Sequence, residues 1–252
     1  MTTFAVHHVV TGRTDGPVVV FSNSLGSTHR MWDAQLTAFE ERFRVVRYDT
    51  RGHGRSPAPN GPYSIDDLAD DLVALLDSLD VARAHLVGLS LGGMTAMRVA
   101  ARNPERVDRL AVLCTGVQLP PASAWTDRAA NVRANGSAAV AGAVVARWFS
   151  PGYTGDRAPW EAMVAATPSE GYAACCEAIA ALDLHADLPK ITAPTLAIAG
   201  TDDPATPPAK LAEIVDRLRD GRLIAVDHAA HLANAEQPGI ITPALIDHLG
   251  RP

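Results

Sequence analysis

Residues 85–94 read His-Leu-Val-Gly-Leu-Ser-Leu-Gly-Gly-Met and contain the pattern Gly-x-Ser-x-Gly centred on Ser90. An apolar run precedes the pattern and a helical sequence follows it, which predicts a strand, a tight turn and a helix. We expect Ser90 to adopt a strained backbone conformation that raises its hydroxyl above a sheet. Glycine at positions 88 and 92 lets neighbouring backbone pass close by, because glycine has no Cβ. The segment predicts a nucleophilic serine; a glycine turn that only packs a helix on a sheet is the alternative.

The sequence on both sides of this segment alternates short apolar runs with amphipathic segments. Ser64 followed by Asp67 forms a capping pattern, and an apolar stripe then extends from Ile65 to Leu79. Thr206 and Pro207 predict the start of another helix, which Gly221 would end. This alternation predicts an α/β fold, with a mostly parallel central sheet and helices on both faces. The predicted strands are 17–21, 44–49, 84–88, 109–114, 194–200 and 222–226.

The segment 119–189 interrupts this alternation, because its sequence is Ala-rich and helical and contains no strand-like run. We predict that residues 1–118 and 190–252 form the α/β core, and that residues 119–189 form a helical lid inserted between two strands of the sheet. Helices that serve only packing are the alternative. Three of the four tryptophans lie in the segment and predict an aromatic surface there: Trp125, Trp148 and Trp160.

Composition excludes several classes of protein. The chain of 252 residues has 22 Lys and Arg against 28 Asp and Glu, a net charge of −6, and no basic run, so nucleic acid is not an expected partner. No stretch approaches the roughly 18 apolar residues of a membrane span, and the N-terminal residues do not resemble a signal peptide. Three cysteines, two of them adjacent, predict free thiols and a cytoplasmic protein.

A nucleophilic serine needs a base, and the base needs an acid that orients it. His231 follows a predicted strand at its carboxyl end, where sites form on open α/β sheets, and it is the predicted base. His228 lies in the same loop and is the alternative. Asp203 leaves another predicted strand and is the predicted acid, with Asp202 as the alternative.

The oxyanion of a tetrahedral intermediate needs backbone donors. Leu91 follows Ser90 at the start of a predicted helix, and Leu25 lies in the loop after an early strand, so their amides are the predicted pair. We expect Arg51 and Asp49 to brace a tight turn in the region 49–56 rather than to take part in chemistry. This chemistry requires neither a metal ion nor an organic cofactor.

Several stretches resemble the α/β-hydrolase superfamily, and the likeness extends over essentially the whole chain. The segments around Ser90, Asp203 and His231 resemble the superfamily as a whole, so they indicate a hydrolase without indicating a substrate. Many superfamily members have His-Gly before the first oxyanion residue, where this chain has Asn23 and Ser24. Three stretches resemble more narrowly the 3-oxoadipate enol-lactonases: Ser-Asn-Ser-Leu-Gly at 22–26, Arg-Trp-Phe at 147–149 and Gly-Tyr-Ala-Ala-Cys-Cys at 171–176.

The resemblance implies hydrolysis of 3-oxoadipate enol-lactone to 3-oxoadipate, in the breakdown of protocatechuate and catechol. Carried over by position, it places the nucleophile on Ser90, the acid on Asp203, the base on His231, and the oxyanion amides on Leu25 and Leu91. A general carboxylesterase or a cofactor-free perhydrolase would use the same groups. A ligand sensor built on this fold is an alternative from another class of protein.

The implied substrate is a small anionic lactone, whose free carboxylate an acidic protein must bind through local cations. Arg128, Arg133 and Arg147 lie in the predicted lid, near Trp125 and Trp148. We predict that these five residues contribute to substrate binding and that at least one arginine binds the carboxylate. Surface arginines paired with acidic side chains are the alternative.

Overall fold

The computed structural model describes residues 3–251, in which seven strands form one sheet in the order β1-β3-β2-β4-β5-β6-β7. β1 pairs antiparallel with β3, and every other neighbouring pair is parallel. The predicted α/β fold is therefore confirmed. The strands are β1 (His8–Gly12), β2 (Val18–Ser22), β3 (Arg44–Tyr48), β4 (Ala84–Leu89), β5 (Val107–Leu113), β6 (Thr195–Gly200) and β7 (Gly221–Val226).

Helices follow most of the strands. The central strands β4 and β6 are buried along their whole length, as in parallel sheets whose two faces are both covered. Within the described residues the α-helices are α1 (Leu36–Glu40), α2 (Ile65–Ser78), α3 (Leu91–Arg102), α4 (Ala122–Asn135), α5 (Ala138–Val145), α6 (Ala158–Ala165), α7 (Ser169–Ala180), α8 (Pro208–Val215), α9 (Ala233–Glu236) and α10 (Pro238–Leu249). Over residues 3–251, none of these helices has the length and apolar character needed to cross a membrane.

Two local predictions differ from the structure. β1 was not predicted from the sequence, because this short edge strand lacks a continuous apolar run and is at most partly buried. Gly221 was predicted to end a helix, but α8 already ends at Val215 and Gly221 begins β7. In contrast, Ser64 caps α2 as predicted, in a reciprocal capping box with Asp67.

A buried arginine fixes the turn after β3, as the sequence analysis expected. The Arg51 guanidinium donates to both carboxylate oxygens of Asp71 on α2, at 2.5 and 2.7 Å, and also lies over the Tyr63 ring. Asp49 accepts hydrogen bonds from the backbone N–H groups of Arg55 and His29, at 3.0 and 2.8 Å. Both charged groups are engaged within the turn and its neighbours, as expected for residues that brace it.

Helices α4 to α7 lie between β5 and β6 in the chain, within the segment predicted to be a lid. α7 packs closely on the turn after β3, because a Cβ at Gly52 or at Gly171 would lie inside contact distance of the other residue's backbone. Glycine at both positions therefore allows the two backbones to touch. The division into core and lid stays a prediction.

Candidate active site

Ser90 lies between β4 and α3 with φ +56° and ψ −116°, a conformation that costs free energy in a residue with a side chain. The neighbouring glycines explain how this turn packs. A Cβ at Gly88 would overlap the carbonyl group of Gly92, and a Cβ at Gly92 would overlap the carbonyl group of Ser22 on β2. The strand, the tight turn and the helix are thus present where the sequence predicted them, and glycine is required at both positions.

The backbone around Ser90 is held by hydrogen bonds to neighbouring elements. Its N–H donates to the carbonyl oxygen of Leu113 at 2.9 Å, and its carbonyl oxygen accepts from the Thr115 hydroxyl at 2.8 Å. Ser90 and His231 line the same cavity. The strained turn therefore directs a serine toward a space that also contains an imidazole.

Asp203 and His231 come together from two different strand ends. The His231 Nδ1–H donates to Asp203 Oδ2 at 2.8 Å, and the Asp203 side chain is almost fully buried. The two alternatives lie elsewhere: Asp202 is exposed, and His228 is exposed at a positive φ of 56°. The geometry therefore joins the predicted acid to the predicted base rather than either alternative.

Asp203 is held as a carboxylate. Burial alone would raise the pKa of Asp203, but the charge and hydrogen bond of His231, together with hydrogen bonds from Thr206 and the Ala205 N–H, lower it to about 2. Oδ1 accepts from the N–H groups of Ala205 and Thr206 at 2.8 and 3.1 Å, and Oδ2 accepts from the Thr206 hydroxyl at 2.5 Å. With the His231 hydrogen bond, each carboxylate oxygen accepts two hydrogen bonds. These bonds hold the carboxylate in one orientation relative to the imidazole.

Two backbone N–H groups flank Ser90. Leu91 is the first residue of α3, so its N–H has no acceptor within the helix and lies at the positive end of the helix dipole. Leu25 lines the cavity, and its N–H meets no acceptor within residues 3–251. Both groups are thus available to an anion bound beside Ser90.

The loop that carries Leu25 is held by side chains that the sequence analysis did not single out. The Gly26 N–H donates to His53 Nε2 at 2.9 Å, and His53 Nδ1–H donates to the Arg51 carbonyl oxygen at 3.2 Å. Burial lowers the pKa of His53, which keeps the imidazole neutral and able to accept. Asn23, which stands where many superfamily members have histidine, accepts from the Trp32 indole N–H at 3.1 Å and donates to the Tyr48 carbonyl oxygen at 2.5 Å.

Glu236 is a second residue that sequence reasoning missed. Its carboxylate accepts from the N–H and the hydroxyl of Ser150, at 2.9 and 2.5 Å, and from the Ala230 N–H at 2.8 Å. On the other side of His231, the Leu232 N–H donates to the Trp148 carbonyl oxygen at 2.8 Å. Glu236 thus ties the segment after α5 to the loop that carries His231. Its position five residues after His231 was the only available signal, and that spacing alone does not reveal the contact.

The cavity next to Ser90 has a volume of about 250 Å³ and receives side chains from the predicted lid. Four of the five predicted substrate-binding residues line it: Trp125, Arg128, Arg147 and Trp148. Arg133 does not, because its guanidinium is paired with Glu170 and Glu177, at 2.8 and 2.5 Å. The structure therefore does not bring Arg133 together with the other four residues.

Arg128 and Arg147 differ from Arg133 in having no carboxylate partner within residues 3–251. Arg128 lies over the Trp125 ring, 4.6 Å from its centroid. Arg147 is exposed as a residue, but desolvation of its guanidinium and the positive charge of Arg128 lower its pKa, so the two guanidinium groups are close enough to repel each other. Two cations without an ion-pair partner in the described residues, in a cavity that is also lined by apolar side chains, favour the binding of an anion.

One group of side chains in the described part of the chain has the spacing of metal ligands, namely His7, His29 and Asp49. None of the three lines the cavity. Asp49 Oδ1 already accepts from both the backbone N–H and the Nδ1–H of His29, each at 2.8 Å. These hydrogen bonds account for the cluster without an ion.

Comparison with known proteins assigns the family. The family model described as the alpha/beta hydrolase fold matches residues 17–238. The chain belongs to the α/β-hydrolase fold family. Within this family, an elbow serine followed in the chain by an acid and a histidine is the order in which Ser90, Asp203 and His231 occur.

Its relatives include proteins with named activities. The chain is 39% identical to 3-oxoadipate enol-lactonase 2 of Acinetobacter baylyi, over 93% of this chain and 89% of that protein. It is 34% identical to a protein of Variovorax paradoxus named as a carbamate hydrolase, RutD, over 98% and 96% of the two chains. The crystal structure of an enol-lactonase from Burkholderia xenovorans superposes with a TM-score of 0.95 at 39% identity, covering 98% of this chain and 96% of that one.

Proposed function

We propose that the protein hydrolyses 3-oxoadipate enol-lactone to 3-oxoadipate through an acyl-enzyme on Ser90. The observation that carries the proposal is the cavity itself, which contains Ser90 and His231 together with Arg128 and Arg147, two arginines without an ion-pair partner among the described residues. A neutral ester would not need these cations, whereas an anionic lactone does. The similarity to enol-lactonases supports the same substrate.

In the first half of the reaction, His231 accepts the proton of the Ser90 hydroxyl, and the oxygen attacks the lactone carbonyl carbon. The N–H groups of Leu25 and Leu91 stabilise the resulting oxyanion. Collapse of the intermediate breaks the ring C–O bond, and His231 returns the proton to the ring oxygen, which leaves as an enol. Asp203 holds the imidazole in one tautomer and stabilises its protonated form.

In the second half, water hydrolyses the acyl-enzyme, to which the enol is still attached through the acyl chain. His231 removes a proton from a water molecule, which attacks the ester carbon of the acyl-enzyme, and the carboxylate product is released as Ser90 regains its proton. The enol formed in the first half tautomerises to a ketone. Because the ketone is more stable than the enol, reclosure of the ring is unfavourable and the reaction proceeds toward the open acid.

An assay of the purified protein tests the proposal. Freshly generated enol-lactone should be turned over many times, with kcat/KM well above that for a neutral aryl ester of similar size. A preference for the neutral ester would favour a general carboxylesterase instead. A single slow turnover of the lactone, without further product, would favour a ligand sensor.

The cavity arginines should decide the preference for an anionic substrate. Arg128→Ala and Arg147→Ala should each lower kcat/KM on the enol-lactone by about 10- to 100-fold, the loss expected for a hydrogen bond to a charged group. On a neutral aryl ester each variant should stay within about threefold of wild type. Steady-state kinetics on the two substrates measure the difference.

Arg133→Ala is the matched control, because Arg133 lies on the same helix as Arg128 but pairs with Glu170 and Glu177 outside the cavity. Its kcat/KM on the lactone should equal that of wild type. Equal losses on both substrates for Arg128→Ala and Arg147→Ala would place the carboxylate elsewhere.

Glu236 should affect the rate without contacting substrate. In Glu236→Gln the single side-chain oxygen cannot serve both Ser150 and Ala230, so the loop around His231 loses a constraint. We expect kcat on both substrates to fall by about tenfold with little change in KM. Glu213→Gln is the control, since Glu213 pairs with His185 and does not line the cavity. An unchanged kcat in Glu236→Gln would remove this positioning role.

A further inference from the structure

Tyr172, in the first turn of α7, lines the cavity and is fully buried. Its ring packs against the loop that carries Leu25, because a Cβ at Gly26 would come within 2.9 Å of Tyr172 Cε2. Gly26 has φ +77° and directly follows Leu25, so the tyrosine ring bears on the proposed oxyanion loop. Glycine at position 26 thus leaves room for the ring to approach this loop.

The hydroxyl of Tyr172 is buried, and its O–H meets no acceptor within the described residues, although Arg128 lies close enough to donate to its oxygen. An unpaired buried polar group costs about 1–3 kcal/mol, and a phenylalanine would fill the same space without that cost. Such groups are uncommon in folded proteins, and each calls for an explanation such as a functional role or a bound water or ion. The hydroxyl at the cavity wall is therefore a donor that a bound molecule can satisfy.

The surroundings of the hydroxyl indicate the charge of that molecule. Burial raises the pKa of Tyr172, so the phenol is protonated and able to donate throughout the neutral range. The positive charges of Arg128 and Arg147 also act on the Tyr172 oxygen, which places both guanidinium groups near it. All three residues line one cavity. Neither arginine forms an ion pair within the described residues, and three donors fit a carboxylate, whose two oxygens offer about four acceptor sites.

We propose that the Tyr172 hydroxyl is the third donor of a carboxylate site that it forms with Arg128 and Arg147, and that it determines how far from Ser90 the carboxylate is held. This inference rests on the proposed function, since it concerns the free carboxylate of the same substrate. The arginine side chains are long and adaptable, whereas the tyrosine ring is fixed against the oxyanion loop. The hydroxyl therefore sets the distance between the two ends of the substrate, and the arginines supply charge.

The test is Tyr172→Phe, which removes the hydroxyl and keeps the ring. We expect kcat/KM on the enol-lactone to fall by at least about tenfold, as for the loss of a hydrogen bond to a charged acceptor, with no more than a twofold change on a neutral aryl ester. The melting temperature should stay the same or rise, because an unpaired buried group has been removed. Equal loss on both substrates, or no loss on either, would overturn the proposal, as would a lower melting temperature.

A binding measurement separates this inference from the proposed function. Competitive inhibition of aryl-ester hydrolysis is measured with 4-oxopentanoate and with its primary amide, a neutral compound that is far less readily hydrolysed than an ester, for wild type, Tyr172→Phe and Tyr63→Phe. The carboxylate should inhibit wild type and Tyr63→Phe alike, and inhibit Tyr172→Phe at least about tenfold more weakly, while the amide inhibits none of them. Inhibition that is equal in all three proteins refutes the Tyr172 site. A wild type that binds the anion but does not turn over enol-lactone refutes only the proposed reaction.

Discussion

Ser90→Ala should lower kcat on both the enol-lactone and an aryl ester by about 10⁴- to 10⁶-fold, the range seen when the nucleophile of a serine triad is removed. The attacking oxygen is then absent, and the imidazole of His231 has only water to activate. Alanine keeps a Cβ at the strained turn, so the melting temperature should change little. Activity assays and thermal unfolding of the same preparation measure both quantities.

Ser24→Ala is the matched control, because Ser24 also lines the cavity but lies in the loop after β2 rather than at the turn between β4 and α3. Its rate should stay within about tenfold of wild type. Comparable activity in Ser90→Ala and wild type would contradict the proposed mechanism, whatever the effect at Ser24.

Asp203→Asn should lower kcat by about 10⁴-fold, the effect of the same change in a well-studied serine triad. An asparagine has one acceptor oxygen, whereas Asp203 accepts from Ala205, from Thr206 twice and from His231. In either orientation of the asparagine, its amide N–H₂ group faces hydrogen-bond donors that the carboxylate accepted from. His231 is then no longer held with its proton on Nδ1, or it turns away from its catalytic orientation. The pKa of about 2 means that wild-type Asp203 remains ionised at any pH near neutrality.

Asp202→Asn tests the same chemical change one residue earlier in the chain. Asp202 is exposed, and its backbone N–H donates to the Ala229 carbonyl oxygen. The substitution leaves this hydrogen bond in place. We expect wild-type activity in this variant. A large loss in Asp202→Asn with a small loss in Asp203→Asn would reverse the assignment of the acid.

The parts of the site that sequence could predict are those that local rules specify. The tight turn at Ser90 needs small residues on both sides, and the continuous apolar run before it predicts a buried strand. Asp203 and His231 each follow such a run, and parallel strands bring their carboxyl ends to one edge of the sheet. The proximity of these two residues therefore followed from strand patterns that are visible without a structure.

Contacts between distant segments could not be predicted in this way. Arg128 and Arg133 lie five residues apart on α4, which at about 3.6 residues per turn separates them by roughly 140° around the helix axis. Which side faces the cavity depends on where α7 packs, and α7 carries the glutamate partners of Arg133. The sequence does not distinguish the two arginines, because the pattern of apolar residues in α4 does not show clearly which face of the helix is buried.

The supporting residues were missed for a related reason. His53 contacts Gly26 across 27 residues, and Glu236 contacts Ser150 across 86 residues. Tyr172 lay in a stretch that resembles the enol-lactonases, but nothing in that resemblance indicated that its hydroxyl is buried without an acceptor for its proton. A side chain that binds the backbone of a distant segment leaves no periodic pattern or characteristic spacing in the sequence, so such contacts cannot be predicted from it.

The most direct test of the account is to identify the covalent intermediate. Wild-type protein is mixed with enol-lactone, quenched in acid within the first turnovers, digested and analysed by mass spectrometry. Ring opening releases no fragment, so the account predicts that the peptide containing Ser90 gains the mass of one complete lactone, and that Ser90→Ala gains none. Turnover at full rate with the adduct on another residue, or with an adduct that persists in Ser90→Ala, would contradict it.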